Sequence, residues 1–389
     1  MKKLLSLLAI VLLVVSACKE PEPIDPVDPD PVLQIPSTYS FERDGESTVS
    51  YSGQTQRLDM MDEMTTYLKS GDKLNAVIDA ARLQAMYANE AGAEFTGTYE
   101  KNIKSKTFAD DVDFFMGWMT AMDEASDLQQ EAAEGKAGFL SETYGTGTPA
   151  TVDNAGYLVN ENGIEFKQVI QKGLMGACFY YQAMEVYLTA DRMGEIGNDE
   201  NAEGKSYTNM EHYFDEAFGY FGVEPDFPGN TEVRYWGKYC QTRNDGGGSG
   251  RFTYSDLSKT IMDAFLKGRA AIAAKDYDAR DAALEVVAHS WEKVIGSTAA
   301  DYLNRAKSDQ NPPTWKRHHY LSEAIGFLLS LKYNFDGGSS KINRQSSAAG
   351  IEKALDIIGP ETDLWALTDA DLDNAINEII NAFPDGVIE

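Results

Sequence analysis

The chain has 389 residues and a formal net charge of −28 at pH 7, from 34 basic and 62 acidic residues. A surface this acidic repels phosphates, which excludes nucleic acid as a partner. The hydrophobic share of 43% is too high for a disordered chain. The length allows roughly two to three domains.

The first 17 residues are typical of a lipoprotein signal peptide. Lys2 and Lys3 precede an apolar run over 4–15, which is too short for a membrane-spanning helix of about 20 residues. Residues 15–18, VSAC, resemble the bacterial lipobox, in which the signal is removed before a cysteine that then receives a lipid. We therefore expect Cys18 to be lipidated; an ordinary cleavage site with an incidental cysteine is the alternative.

Residues 18–37 are expected to form a tether behind the lipidated cysteine. Six of the chain's 13 prolines and five acidic residues lie within 19–36. Proline keeps such a segment extended and its carboxylates repel one another, so it acts as a semi-rigid spacer. The acidic residues after Cys18 also resemble the signals that send some lipoproteins to the outer face of the outer membrane. We expect a lipid-anchored outer-membrane protein, on the cell surface or the periplasmic face.

The first predicted element of the folded part is a β-hairpin. Strand-like residues 39–43 and 47–51 flank Asp44-Gly45-Glu46, and Asp-Gly readily adopts the positive φ angles of a tight turn. Almost everything after it has helical periodicity, with apolar residues three or four apart. The predicted helices lie near 58–68, 74–86, 110–133, 164–189, 207–221, 255–274, 278–307, 314–332, 346–358 and 368–382.

This order of elements predicts an all-α fold of duplicated helical bundles with a short N-terminal hairpin. Glycine and proline loops separate the helices, and the glycine run at 246–248 is the best candidate for a boundary. The predicted units are therefore 38–245 and 246–389. The alternative is one compact unit containing a long loop.

An internal repeat supports the duplication. Residues 212–221, HYFDEAFGYF, match residues 319–328, HYLSEAIGFL, by identity or apolar similarity at every position except Asp215 against Ser322. Close packing of helices explains the aromatic and glycine positions, but it does not require His and Glu at the same offset.

The repeated His and Glu residues are candidate metal ligands. Residues four apart lie about 40° apart around a helix, so His212 shares a face with Glu216, and His319 with Glu323. Imidazole and carboxylate ligands suit iron, zinc, manganese or copper, and facing helices of a bundle can assemble such a site. The alternative is an ordinary hydrogen-bonded pair. A weaker candidate set follows one stripe of the 278–307 helix: Glu285, His289 and Glu292.

Other chemical motifs are absent from the sequence or carry little weight. It contains no HExxH helix, P-loop, GxGxxG after a strand, CxxCH or GxSxG motif. Tyr235, Trp236 and Trp315 could stack on a sugar or a porphyrin, although aromatic residues in helices more often pack in the core.

The residues resemble a family of bacterial lipoproteins known only as domain-of-unknown-function family 4856. The similarity rests on the lipobox, the tether and four motifs: YSFERDG (39–45), KGLMGA (172–177), DEAFGYFG (215–222) and SEAIGF (322–327). More remotely, a duplicated bundle with His/Glu motifs is similar to the imelysin group. That resemblance implies a link to iron uptake and, for some members, a metallopeptidase activity. Only His289-Ser290-Trp291-Glu292 has the His-x-x-Glu spacing of that group.

Together these features predict a binding protein of the cell envelope. We expect a lipid-anchored protein that binds a metal ion or metal complex and works with outer-membrane components of iron or nutrient uptake. The alternatives are an imelysin-like metallopeptidase and a surface glycan-binding lipoprotein.

Overall fold

The structure is a computed structural model that describes residues 33–194, 197–244, 251–334 and 343–389. The signal peptide, Cys18 and the tether up to residue 32 lie outside the described residues, as does the glycine run proposed as a boundary. Residues Ile35–Glu389 form one compact unit. Helices from both sides of residue 246 therefore belong to the same body.

The prediction of a mainly helical chain is confirmed. The described residues contain the following α-helices: α1 (Ser52–Ser70), α2 (Ala80–Ala88), α3 (Val112–Asp127), α4 (Phe166–Leu174), α5 (Asn209–Phe221), α6 (Tyr235–Arg243), α7 (Leu257–Ala274), α8 (Tyr277–Arg305), α9 (Thr314–Leu331), α10 (Ala348–Ile357) and α11 (Asp369–Asn381). Short 3₁₀ turns occur at Lys104–Lys106, Ala109–Asp111 and Ser308–Gln310. All the helices predicted from residue 110 onward are present, and α6 was not predicted.

Helix α4 continues directly into π-helical turns, Met175–Tyr180 and Gln182–Tyr187. Together they form the long buried helix predicted over 164–189. The most extensive helix contacts join α7 with α8, α8 with α9, and α4 with α9, so the core runs through both halves of the chain. Among the described residues, no helix combines the length and apolar content needed to cross a bilayer.

The predicted N-terminal hairpin is present but shorter than expected. Strands β1 (Glu42–Arg43) and β2 (Glu46–Ser47) are antiparallel, and Asp44 and Gly45 have φ angles of 54° and 80°, as the Asp-Gly turn requires. Beyond the ladder, the backbone N–H of Ser50 donates to the Asp215 carboxylate of α5 at 3.0 Å.

A second hairpin was not predicted. Strands β3 (Gly138–Ser141) and β4 (Gly156–Val159) are antiparallel and lie just before α4. Each helix α1 and α4 is thus preceded by a hairpin, an arrangement that continues the internal repeat.

A fully buried arginine connects the first hairpin with the helices. The Arg269 guanidinium on α7 donates to Asp215 Oδ1 and Glu211 Oε1 at 2.9 Å each, and to the Thr48 carbonyl oxygen at 3.1 Å. Buried charges are tolerated when they are paired and hydrogen-bonded in this way. Arg269 therefore ties the N-terminal hairpin to a helix on the far side of residue 246.

Candidate functional site

The first copy of the repeat places its histidine at the start of α1. The Nδ1 atom of His212 lies 3.0 Å from the Ser50 carbonyl oxygen, to which it donates. Its ring stacks on Tyr207 at 4.8 Å. The Nε2 atom is 3.9 Å from Glu216 Oε2, and Glu216 accepts a hydrogen bond from Gln54 at 3.0 Å. The direct partners of this pair are neutral.

The second copy repeats this geometry at the start of α4, with charged partners. The Nδ1 atom of His319 lies 2.6 Å from Glu165 Oε2, and its ring stacks on Tyr157 at 4.4 Å. The Nε2 atom is 3.8 Å from Glu323 Oε1. The other Glu323 oxygen lies 3.6 Å from the Lys172 ammonium.

At the one position that differs between the copies, both side chains accept a hydrogen bond from a backbone N–H. Asp215 accepts the N–H of Ser50, and the Ser322 hydroxyl accepts the N–H of Glu165 at 2.8 Å. The repeat is therefore a docking arrangement, in which α5 lies on the start of α1 and α9 on the start of α4.

The repeated glycines make this close docking feasible. A Cβ atom on Gly219 would lie 2.7 Å from the Tyr51 Cβ atom, and one on Gly326 would lie 2.4 Å from the Lys172 Cβ atom. Both distances are too short for a side chain, so glycine lets the two helices approach.

The structure does not bring the four expected metal ligands together. Among the described residues, no three His, Cys, Asp or Glu side chains are placed to hold a metal ion. The physical reason is the docking itself: each His/Glu pair faces its own partner helix, so His212 and Glu216 do not share a site with His319 and Glu323.

The weaker set on α8 anchors a chain segment. Glu285 accepts a hydrogen bond from the Asn343 amide at 3.4 Å, and His289 Nε2 lies 2.6 Å from the Asn343 carbonyl oxygen. Glu292 accepts the N–H of Gln345 at 2.8 Å. The stripe thus binds residues 343–345.

The three candidate aromatic residues do not form one stacking surface. Trp236 is fully buried, and its indole N–H donates to the Met175 carbonyl oxygen at 3.0 Å. Tyr235 is 6% exposed and donates to Asp62 Oδ1 at 2.6 Å. Trp315 is half-buried and stacks on Tyr157 at 5.4 Å. Trp236 is therefore a core residue.

A cavity of about 420 Å³ lies between α1, α4 and α6. Five of the side chains that line it are basic, in a chain with almost twice as many acidic as basic residues. We call it the basic cavity; its charged lining residues are Lys69, Lys167, Lys172, Arg234, Lys238 and Asp62. Thr65, Gln171, Tyr235 and Tyr239 add polar groups.

Lys167 is held in the wall of the basic cavity by two carboxylates. Its ammonium bonds Glu165 Oε1 at 2.9 Å and also bonds Asp72. Burial lowers the pKa of Lys167, but the two carboxylates outweigh burial and the net pKa is raised. Burial raises the pKa of Glu165, yet Lys167 and His319 lower it to about 2. This network keeps Lys167 and Glu165 charged.

Lys172 is less completely paired. Among the described residues its close hydrogen-bond acceptor is Gln171 Oε1 at 2.7 Å, and Glu323 is 3.6 Å away. Burial lowers the pKa of Lys172, and Glu323 only partly offsets the effect. An ammonium has three donors, so this buried group can donate to a further acceptor in the cavity.

The remaining cations lie closer to solvent. Lys69 and Lys238 are exposed and have no ion pair in the described parts of the chain. Arg234 bonds Asp59 at 2.5 Å and Asp62 at 3.3 Å. The basic cavity therefore combines two free surface cations with buried ones that are fixed in position.

The fold and the cavity define a mainly helical protein with a partly open cavity of ligand size. A family model described as "Domain of unknown function (DUF4856)" matches residues 36–384, and the chain belongs to this family. No curated protein and no solved structure matches the chain.

Proposed function

We propose that this protein is a lipid-anchored binding protein of the cell envelope whose ligand is a small anion held in the basic cavity. The observation that carries the proposal is the set of five basic side chains around about 420 Å³ in a strongly acidic chain. Ammonium and guanidinium groups recognise carboxylates and phosphates by charge-assisted hydrogen bonds. The volume suits a small molecule.

The same chemistry also accommodates a metal complex. A metal ion chelated by polycarboxylates carries a net negative charge, so it is compatible with a cation-lined cavity in a way that a bare cation is not. The cavity would then recognise the anionic ligands that surround the metal and not the metal itself. Such a protein could still serve metal or nutrient uptake.

The proposed location is the outer membrane. The lipobox-like residues before Cys18 and the acidic, proline-rich tether support attachment to the outer membrane. A protein held there would pass its ligand to outer-membrane uptake components.

Calorimetric titration of the mature chain with citrate, ferric citrate and inorganic phosphate tests the proposal. We expect at least one of these anions to bind, with citrate and ferric citrate distinguishing a free polycarboxylate from a metal complex. Replacing Lys69 and Lys238 together by Glu should weaken binding at least tenfold, because both free cations become repulsive.

The matched control is Lys205→Glu with Lys267→Glu, which makes the same charge change at exposed positions outside the cavity lining. This control should bind with the affinity of the unmodified chain. Equal weakening by both double variants, or failure of all three anions to bind at millimolar concentration, would overturn the proposal.

A further inference from the structure

A second cavity lies on the other side of the first turn of α4. Its volume is about 480 Å³, and its wall comes from α3, from residues flanking β3 and β4, and from Phe166. Phe166 faces this cavity, whereas the next residue, Lys167, lines the basic cavity. We call it the apolar groove; its lining residues are Gly117, Trp118, Ala121, Glu124, Ala125, Leu128, Ala137, Asn160, Glu161 and Phe166.

One side of the apolar groove is a strip of small residues. Gly117, Ala121 and Ala125 are four residues apart and share a face of α3. Leu128, at the end of that helix, is 52% exposed. A Cβ atom on Gly117 would meet no atom within 4 Å, so the space beside it is open.

Two aromatic rings form the deeper wall. Trp118 and Phe166 are 9% and 1% exposed, and their rings meet edge to face with centroids 5.7 Å apart. Trp118 also packs against Phe114, with ring centroids 6.1 Å apart. A planar apolar group entering the groove would replace water against Trp118 and the small residues.

The charges of the apolar groove are opposite to those of the basic cavity. Its ionisable lining residues are Glu124 and Glu161, both exposed, and neither has an ion pair within the described ranges. A positive group on an apolar ligand would meet these carboxylates and would also be attracted by the indole ring. A carboxylate on the same ligand would be repelled.

We propose that the apolar groove binds a small aromatic amine. The ring lies against Trp118 and the small-residue strip of α3, with Phe166 in the wall behind, and the ammonium lies near Glu124 and Glu161. This site is independent of the anion site in the proposed function, since it takes a ligand of opposite charge and shares no lining residue with the basic cavity.

Three probes of similar shape and different charge test the proposal. The mature chain is titrated calorimetrically with tryptamine, neutral indole and indole-3-propionate. We expect tryptamine to bind at least tenfold more tightly than indole, and indole more tightly than indole-3-propionate. The proposed amine site would be overturned if indole-3-propionate bound as tightly as tryptamine. It would also be overturned if tryptamine did not bind at millimolar concentration.

Two sets of variants locate the site. Gly117→Phe fills the open space beside α3 and should abolish tryptamine binding, whereas Gly117→Ala adds only a methyl group and should retain it. Glu124→Gln with Glu161→Gln should weaken tryptamine at least fivefold and leave indole unchanged. Full tryptamine affinity in Gly117→Phe would place the ligand elsewhere. Citrate titration of each variant separates this result from any loss at the basic cavity.

Discussion

Glu292 is a fully buried carboxyl on α8 with an incomplete set of partners. Its Oε2 atom accepts the N–H of Gln345, and among the described residues its Oε1 atom has no hydrogen-bond partner. Burial raises the pKa of Glu292 to about 7, and Arg344 offsets only part of that effect. The neutral form is therefore favoured in the folded protein below about pH 7.

The Glu292→Gln variant should change how stability depends on pH. The unfolded carboxyl has a pKa near 4.5, so the stabilisation from proton binding is complete below 4.5 and disappears as pH rises through about 7. Between pH 4.5 and 7.5 the free energy of unfolding of the unmodified chain should fall by up to about 3 kcal/mol relative to that of the variant.

Urea unfolding of both proteins at the two pH values measures this difference. Glu285→Gln, the same change at a half-exposed position on the same helix, is the control. Parallel pH profiles for the unmodified chain and Glu292→Gln would contradict the prediction.

The sequence could predict the His/Glu pairs but not their third partners. The spacing of four places Nε2 and the carboxylate 3.9 Å apart in one copy and 3.8 Å apart in the other. The partners Ser50 and Glu165 lie 162 and 154 residues from their histidines. No local pattern specifies such contacts, so the sequence predicted the shared helix faces but not the docking of α5 and α9 on distant segments.

Helix α5 begins with a capping box that has an additional function. Thr208 accepts the N–H of Glu211, and Glu211 accepts the N–H of Thr208. The Thr208 hydroxyl also donates to Asn198 Oδ1 at 2.8 Å in the interior. This cap therefore fixes both the start of α5 and the loop before it.

Replacing this threonine should destabilise the protein more than replacing the equivalent cap on α11. We expect Thr208→Ala to cost about 2 kcal/mol, because it removes the cap and leaves Asn198 without its donor. Thr368→Ala removes a capping box that is closer to solvent and should cost about 1 kcal/mol. Chemical denaturation measures both, and the reverse order would show that the bond to Asn198 does not contribute.

Most helices were predicted well because their apolar residues recur every three or four positions. The elements β3, β4 and α6 were missed for physical reasons. All four residues of β3 are buried, so the strand lacks the alternation that marks a half-exposed strand. Helix α6 has only nine residues and mixes Lys238 and Gln241 with aromatics. For the basic cavity, the sequence signal was the presence of Lys167 and Lys172 within the otherwise apolar stretch that forms α4.

The whole unit from Ile35 to Glu389 should unfold in a single transition. Helix α5 contacts both α1 and α7, and Arg269 binds Thr48 across 221 residues of sequence. Because these contacts join the two halves, neither half can unfold without exposing the core of the other.

Differential scanning calorimetry checks this expectation. A calorimetric enthalpy equal to the van't Hoff enthalpy would indicate one cooperative unit. Two resolved transitions would instead support separate bundles divided near residue 246.

If the basic cavity holds an anion as proposed, the acidic surface affects how that anion arrives and the cavity affects how long it stays. An anion that approaches a chain of net charge −28 is slowed by repulsion over roughly 10 Å at 0.1 M salt, before it meets Lys69 and Lys238. A monovalent ion would meet a lower barrier but would contact fewer of the cations inside. A polyvalent ion would meet a higher barrier at the acidic surface but would reach several fixed cations at once, so its selection over simple anions would come from slow dissociation and not from fast arrival.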